Sequence, residues 1–142
     1  MHHKALLFND PTTATAILQA STPRKAKSLG RRVTGFDPAV WTAERCRVAR
    51  DANRRKFSSD ALRPRLLGTG RAELVEASPF DRDWGIGFAA AEAGGKRERW
   101  GMNLLGKVLM EVRGELEMEE GGGERGEGGP QGGRLEEEPP SI

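Results

Sequence analysis

Residues 103–116 read NLLGKVLMEVRGEL, and this stretch decides the fold. Its large apolar residues recur at intervals of three and four, the spacing that places side chains on one face of an α-helix. These residues are Leu105, Val108, Leu109, Val112 and Leu116. Asn103 precedes them in the position of a helix-capping residue. We therefore predict a helix that is capped by Asn103 and packs its apolar face against the rest of the chain.

Capping residues and prolines ahead of this stretch predict further helices. One begins at Thr12 or Thr13, and others begin at Pro23 and at the Asp37-Pro38 pair, since proline suits the first turn of a helix. A fourth starts at Ser58 or Ser59, and Pro64 is expected to strain its middle. The four are expected to end near residues 20, 32, 57 and 67.

Two short segments are typical of β-strands. Residues 73–77 alternate in polarity and end at a Ser-Pro pair, and residues 84–88 form a second candidate. With the helices they predict an α+β fold that is mainly α-helical. At 142 residues the chain is expected to form one compact domain with a single core.

Charge divides the chain into a basic body and an acidic end. Residues 1–114 contain 21 Lys and Arg against 12 Asp and Glu, whereas residues 115–142 contain 2 against 9. A basic body suits phosphorylated small molecules or nucleic acid, because clustered cations attract anions. Residues 118–142 are rich in Gly and Glu, so we predict a disordered tail there and a domain at 1–117.

Several classes of protein are excluded by composition. No apolar run is long enough to span a membrane, and Cys46 is the only cysteine, so neither an intrachain disulfide nor a thiolate-pair zinc site can form. We expect no metal, no cofactor and no membrane contact. A reducing compartment fits best, so the cytoplasm is predicted and the nucleus is not excluded.

The residues with the clearest chemical potential lie between 73 and 106. Glu76 and Asp81 flank a turn and are able to converge on one pocket, where paired carboxylates catalyse glycosidic cleavage. The alternative is that both are loop carboxylates paired with Arg71 or Arg82. Trp84 beside Gly85 places a flat ring next to a backbone that a ligand can approach closely.

Other candidates also have structural alternatives. Trp84, and Trp41 on its helix, are as consistent with core packing as with stacking on a ligand. Lys27 and Lys56 lie in basic runs that suit phosphate, although such runs are often solvated helix faces.

Several of these segments together resemble the NADAR or YbiA-like family. The matching segments are KSLGRR at 27–32, FDPAVW at 36–41, KF at 56–57, ELVEASPFD at 73–81, WGIG at 84–87 and GMNLLGK at 101–107, followed by Leu109, Met110 and Arg113. Their order and spacing persist over residues 1–117.

The resemblance implies a compact, mainly helical YbiA-like domain that hydrolyses N-glycosidic bonds of ribose derivatives. It implies phosphoribosyl intermediates of riboflavin biosynthesis, or ADP-ribose attached to a base, as substrates. By similarity, Asp81 is the expected catalytic carboxylate, and Trp41 and Trp84 shape the pocket. The remaining expected contacts to ribose or phosphate oxygens come from Lys27, Lys56 and Asn103.

The sequence departs from the family pattern at its beginning. Members start with a strand region that contains a Ser-Asn-Phe-like motif and then a Glu that is central to activity, whereas here Met1 falls after both. We therefore expect an N-terminally truncated or inactive member. Two alternatives remain open: a non-catalytic nucleotide or ADP-ribose binder, and, less favoured, a basic nucleic-acid-binding module.

Overall fold

The computed structural model describes residues 1–123. Within these residues it contains helices and connecting turns but no β-strand, so the two predicted short strands are wrong. The helices are α1 (His2–Leu7), α2 (Pro11–Leu18), α3 (Pro23–Gly30), α4 (Pro38–Phe57), α5 (Arg63–Leu67), α6 (Ala90–Ala93), a 3₁₀ helix (Gly94–Arg99) and α7 (Leu104–Gly123).

The buried apolar side chains form two clusters rather than the single core that was expected. The first joins α1, α2 and the segment after α3 through Ala5, Ala14, Ile17 and Val33. The second joins α5 and α7 through Leu66, Val108, Val112 and Leu116. α4 packs against α1 and α7 and connects the two clusters, although no side chain between Pro38 and Phe57 is fully buried.

α2 begins with a different cap from the predicted threonines. The buried side chain of Asp10 accepts hydrogen bonds from the Thr13 N–H and the Thr34 N–H, both at 2.9 Å. One carboxylate therefore caps α2 and also ties it to the segment after α3. Thr12 and Thr13 lie inside the helix, because Pro11 occupies its first turn.

α5 is shorter than predicted, and the position of its proline explains why. The helix starts at Arg63, so Pro64 lies in its first turn, where the missing N–H has no intrahelical partner to lose. The expected strain at Pro64 therefore does not arise. Residues 58–62 form turns instead of a helix.

A side chain takes the place of a strand partner along the extended segment 72–78. The amide of Asn103 donates to the Leu74 carbonyl at 2.9 Å and accepts from the Glu76 N–H at 3.0 Å. The Ile86 N–H donates to the Glu76 carbonyl at 2.9 Å. These isolated bonds satisfy backbone groups of Leu74 and Glu76, and the segment is extended without belonging to a sheet.

The predicted cap of α7 is also wrong. The Asn103 side chain is bound to the extended segment, and its backbone has a positive φ of 50°. Loop carbonyls cap the helix instead: the Leu104 N–H donates to the Asp83 carbonyl at 3.0 Å, and the Leu105 N–H donates to the Trp84 carbonyl at 3.1 Å. Carbonyl groups of a loop thus satisfy the first free N–H groups of the helix.

α7 continues past the start of the predicted tail. Residues 118–123 are helical, and Arg54 and Arg63 form ion pairs with Glu119. Arg63 also pairs with Glu120 at 3.1 Å. These contacts with α4 and α5 hold the helix beyond residue 117. The rest of the predicted tail, 124–142, lies outside the described residues.

Two glycines of α7 allow a matched test of this packing. A Cβ at Gly106 would collide with the Leu74 carbonyl and the Asn103 amide, whereas a Cβ at Gly114 would meet nothing within 4 Å. We expect Gly106→Ala to lower the free energy of unfolding by about 1–3 kcal/mol through overpacking. Gly114→Ala is expected to raise it by about 0.5–1 kcal/mol, since alanine is the better helix former. Urea denaturation measures both, and equal effects would contradict the packing at Gly106.

Asp10 predicts a specific pH dependence of stability. Hydrogen bonds from Thr34 and Thr13 lower the pKa of Asp10 from 3.8 to about 2. Since folding lowers this pKa, the contribution to stability is complete above pH 3.8 and is lost as pH falls towards 2. We expect the melting temperature of Asp10→Asn to depend less on pH between 4 and 2 than that of the wild type. The exposed Asp60→Asn is the control, and parallel profiles for all three proteins would contradict the assignment.

Candidate functional site

The Asp81 carboxylate is held by the backbone of its own loop, here called the Asp81 loop and defined as residues 81–86. Its Oδ1 accepts hydrogen bonds from the Asp83 N–H at 3.0 Å and from the Trp84 N–H at 2.8 Å. Within residues 1–123 its hydrogen bonds all go to Oδ1. The side chain is half-buried, so one carboxylate oxygen is fixed while the other has no bonded neighbour among these residues.

The segments that carry Glu76 and Asp81 meet at Gly85. A Cβ at this buried glycine would lie 2.8 Å from the backbone carbonyl oxygens of both residues. The main chains of the two segments therefore meet, and only glycine fits between them; convergence of the two carboxylates on one pocket stays a prediction. Within the described chain neither carboxylate forms an ion pair with Arg71 or Arg82, the partners that the structural alternative required.

α4 supplies the facing side of the site. The Arg45 guanidinium pairs with the Asp83 carboxylate at 2.8 Å, and its Nη2 lies 3.9 Å from the Met102 sulfur. Trp41 lies four residues earlier and therefore on the same face of α4. The Arg45–Asp83 pair thus ties the helix that carries Trp41 to the Asp81 loop.

Lys4 adds a cation beside Trp41. Its Nζ lies 5.5 Å from the centre of the Trp41 ring and 4.0 Å from the centre of the Phe36 ring, and it donates to the Gly30 carbonyl at 2.9 Å. Burial lowers the pKa of Lys4 below its ordinary value. Two aromatic faces and a partly desolvated ammonium group therefore line this end of α4.

The structure brings some of the predicted site residues together. Asp81, Trp84 and Gly85 share one loop. The backbone N–H of Asn103 supports this loop by donating to the Gly85 carbonyl at 3.2 Å. Both polar ends of the Asn103 side chain are bound to backbone, so the geometry gives it a positioning role. Trp41 is linked to the loop through Arg45.

Two predicted substrate-binding lysines lie on helices outside the Asp81 loop. Lys27 is exposed on α3, where it lines a concavity of about 430 Å³ with Arg24, Ser28 and Arg31. Lys56 is exposed in the last turn of α4, with its Nζ 5.3 Å from the Phe57 ring. Fifteen residues separate it from Trp41, which is about 22 Å along the helix axis. The structure does not group Lys56 with the Asp81 loop.

Lys4 and Arg45 are the site residues that sequence reasoning missed as candidates. The position of Arg45, one helical turn after Trp41, was a signal that a helical wheel reveals. Lys4 had no comparable signal in this sequence, because its neighbours Phe36 and Trp41 come from a distant part of the chain.

The described part of the chain offers little to other kinds of site. Residues 1–123 contain no group of three His, Cys, Asp or Glu side chains that could hold a metal ion. No helix among them is both long and apolar enough to cross a bilayer. Cys46 is exposed on α4 as a free thiol.

Comparison with known proteins assigns the family. The sequence model of the NADAR domain family matches residues 1–117 of this chain. The chain belongs to the NADAR family. This match covers every residue of the candidate site described above.

Curated relatives of this NADAR chain include proteins named N-glycosidase. One from Acanthamoeba polyphaga mimivirus is 48% identical over 118 residues, which are 81% of this chain and 69% of the relative. One from Nostoc punctiforme is 38% identical over 108 residues, which are 75% of this chain and 64% of the relative. The irg-1 protein of Caenorhabditis elegans is 41% identical over 121 residues, which are 82% of this chain and 57% of the relative.

The contacts of the Asn103 side chain with the extended segment can be tested with two asparagines that share a positive φ. Asn103→Gly keeps the backbone unstrained but leaves the Leu74 carbonyl and the Glu76 N–H without their partners. We expect a loss of about 2–4 kcal/mol in the free energy of unfolding, from two unsatisfied groups. The control is the exposed Asn9, whose φ is 53°, and Asn9→Gly is expected to change stability by less than about 0.5 kcal/mol. Equal losses would show that the amide contacts do not matter.

Proposed function

We propose that this NADAR chain is an N-glycosidase that hydrolyses the bond between ribose and a base nitrogen in phosphoribosyl or ADP-ribosyl derivatives. Family membership and the names of its relatives support the reaction class. Intermediates of riboflavin biosynthesis and ADP-ribosylated bases are the two substrate types that the family resemblance suggests. The basic composition of residues 1–114 suits either, since both carry phosphate.

The observation that carries the proposal is the fixed carboxylate of Asp81. Cleavage of an N-glycosidic bond develops positive charge on the ribose ring and negative charge on the departing base. A carboxylate that is already oriented stabilises the cationic ring, or orients the attacking water, without reorganisation during the reaction. Two backbone N–H groups orient Asp81 in this way and leave its second oxygen for ribose or water.

The surroundings of Asp81 provide the other parts of a binding site. Gly85 lets the segments of Glu76 and Asp81 pack closely together, and Trp84 and Trp41 offer flat surfaces for a base or a ribose ring. Lys4 places a positive charge beside Trp41, where it can bind an oxygen of the ligand. Asn103 acts as a positioning residue, because its amide fixes residues 74–76 behind the loop.

Lys27 and Lys56 remain predictions for contacts to phosphate. Lys27 has support from its surroundings, since Arg24 and Arg31 share its face of α3. Within the described residues, no carboxylate forms an ion pair with any of these three cations. Lys56 lacks this support, because the structure does not place it in a comparable cluster of cations beside the Asp81 loop.

Asp81→Asn tests the catalytic role of the carboxylate. Asparagine retains an Oδ1 that accepts the same two backbone hydrogen bonds, so we expect the melting temperature to change little. Loss of the negative charge is expected to lower kcat by at least about 100-fold, the usual effect of removing such a group. Release of free base from a phosphoribosyl aminopyrimidine and from an ADP-ribosylated nucleoside is measured by liquid chromatography.

The exposed Asp60, in the turn after α4, provides the control for this experiment. Asp60→Asn is expected to retain wild-type kcat. An Asp81→Asn protein that retains wild-type kcat would remove Asp81 from the mechanism. Tight binding of ADP-ribose by a wild-type protein that releases no base would favour the non-catalytic binder.

A further inference from the structure

Three cations surround a single aromatic ring directly after the Asp81 loop. The Arg82 Cζ, the Lys96 Nζ and the Arg99 Cζ lie 5.8, 5.0 and 5.6 Å from the centre of the Phe88 ring. Contact with the ring face stabilises each cation to some extent. Three positive charges around one ring also repel one another, so the cluster favours a negatively charged neighbour.

Carboxylates of the chain neutralise only part of this charge. Lys96 forms an ion pair with Glu92. Within residues 1–123, by contrast, neither Arg82 nor Arg99 forms an ion pair with a carboxylate, and Arg82 donates to the Arg99 carbonyl at 2.8 Å. Glu98 lies beside Lys96 and Arg99, and its side chain is exposed to solvent. Two guanidinium groups are therefore available to an external anion.

The conformation of Arg82 is set by its contacts with the main chain. Gly87 has a φ of +76°, and a Cβ there would lie 2.8 Å from the Arg82 Cγ. The glycine leaves room for the arginine side chain, and the Arg99 carbonyl then binds one of its nitrogens. A guanidinium group held in this way binds two oxygens of a phosphate with little further loss of conformational entropy.

The cluster borders an open concavity. A hollow of about 460 Å³ is lined by residues 94–99 of the 3₁₀ helix, including Lys96 and Arg99. At Gly94 and Gly95, a Cβ would meet no atom within 4 Å, so the absence of side chains keeps the hollow open. Its volume lies in the range that accommodates small ligands.

We propose that Arg82, Lys96 and Arg99 bind a phosphate group of the ligand whose ribose lies at Asp81. Arg82 is the residue after Asp81, so one member of the cluster lies in the loop that carries the carboxylate. This inference rests on the proposed function, because it assigns the phosphate to the same substrate. Inorganic phosphate has the same chemistry as the phosphate group of the ligand, so the experiment must distinguish these two sources of phosphate.

Calorimetric titration of the full chain with ribose 5-phosphate, ADP-ribose and inorganic phosphate tests the site. We expect Arg99→Gln to raise the Kd for ribose 5-phosphate at least tenfold. Gly95→Val is expected to do the same by filling the hollow, while its melting temperature stays that of the wild type. The matched control is Arg65→Gln, which removes an exposed arginine of α5 and is expected to leave the Kd within twofold.

The outcomes separate the phosphate site from the proposed catalysis. Wild-type Kd and KM in both Arg99→Gln and Gly95→Val would overturn the site, even in an active enzyme. Loss of binding in Lys27→Gln alone would also overturn it, since the phosphate would then lie on α3. Inorganic phosphate that does not compete with ribose 5-phosphate would overturn the assignment to the substrate. If Arg99→Gln and Gly95→Val both weaken binding and the wild-type protein releases no base, the phosphate site is supported and only the proposed catalysis is refuted.

Discussion

The contact between the start of α7 and the Asp81 loop is the constraint on which the rest of the site depends. Backbone N–H groups of residues 102–105 donate to the carbonyl groups of residues 82–85, at distances from 2.7 to 3.2 Å. A helix must satisfy its first N–H groups, and here the loop satisfies them with its own main chain. The same contact therefore ends the loop, starts the helix and fixes the backbone that holds the Asp81 carboxylate.

α4 connects this arrangement to the other half of the molecule. α7 packs its apolar face on α5 and on Ala49 and Phe57 of α4, while the opposite end of α4 carries Trp41 and Arg45 towards the site. The small cluster of α1, α2 and α3 then positions Lys4 over Trp41. Neither apolar cluster includes Trp41, Arg45 or a residue of the Asp81 loop.

The helices could be predicted where their signals are local. Pro23 and the Asp37-Pro38 pair mark helix starts that the structure confirms, and the apolar spacing of residues 105–116 identified α7. The strand predictions failed because alternation describes an extended segment but not its partner, and here the partner is one asparagine side chain. Asp81, Trp84 and Gly85 are close in sequence, so their proximity was predictable. Arg45 shares a helix face with Trp41 and could have been found from that spacing, whereas Lys4 reaches Trp41 through a tertiary contact that no local pattern reveals.

Hydrolysis in water enriched in ¹⁸O tests the central claim most directly. The wild-type chain is incubated with a phosphoribosyl aminopyrimidine or an ADP-ribosylated nucleoside, and the products are examined at once by mass spectrometry. If the chain cleaves the N-glycosidic bond with water at the ribose carbon, the label appears in the ribosyl product and the released base carries none. Labelled base, or no release of base from either substrate, would contradict the account.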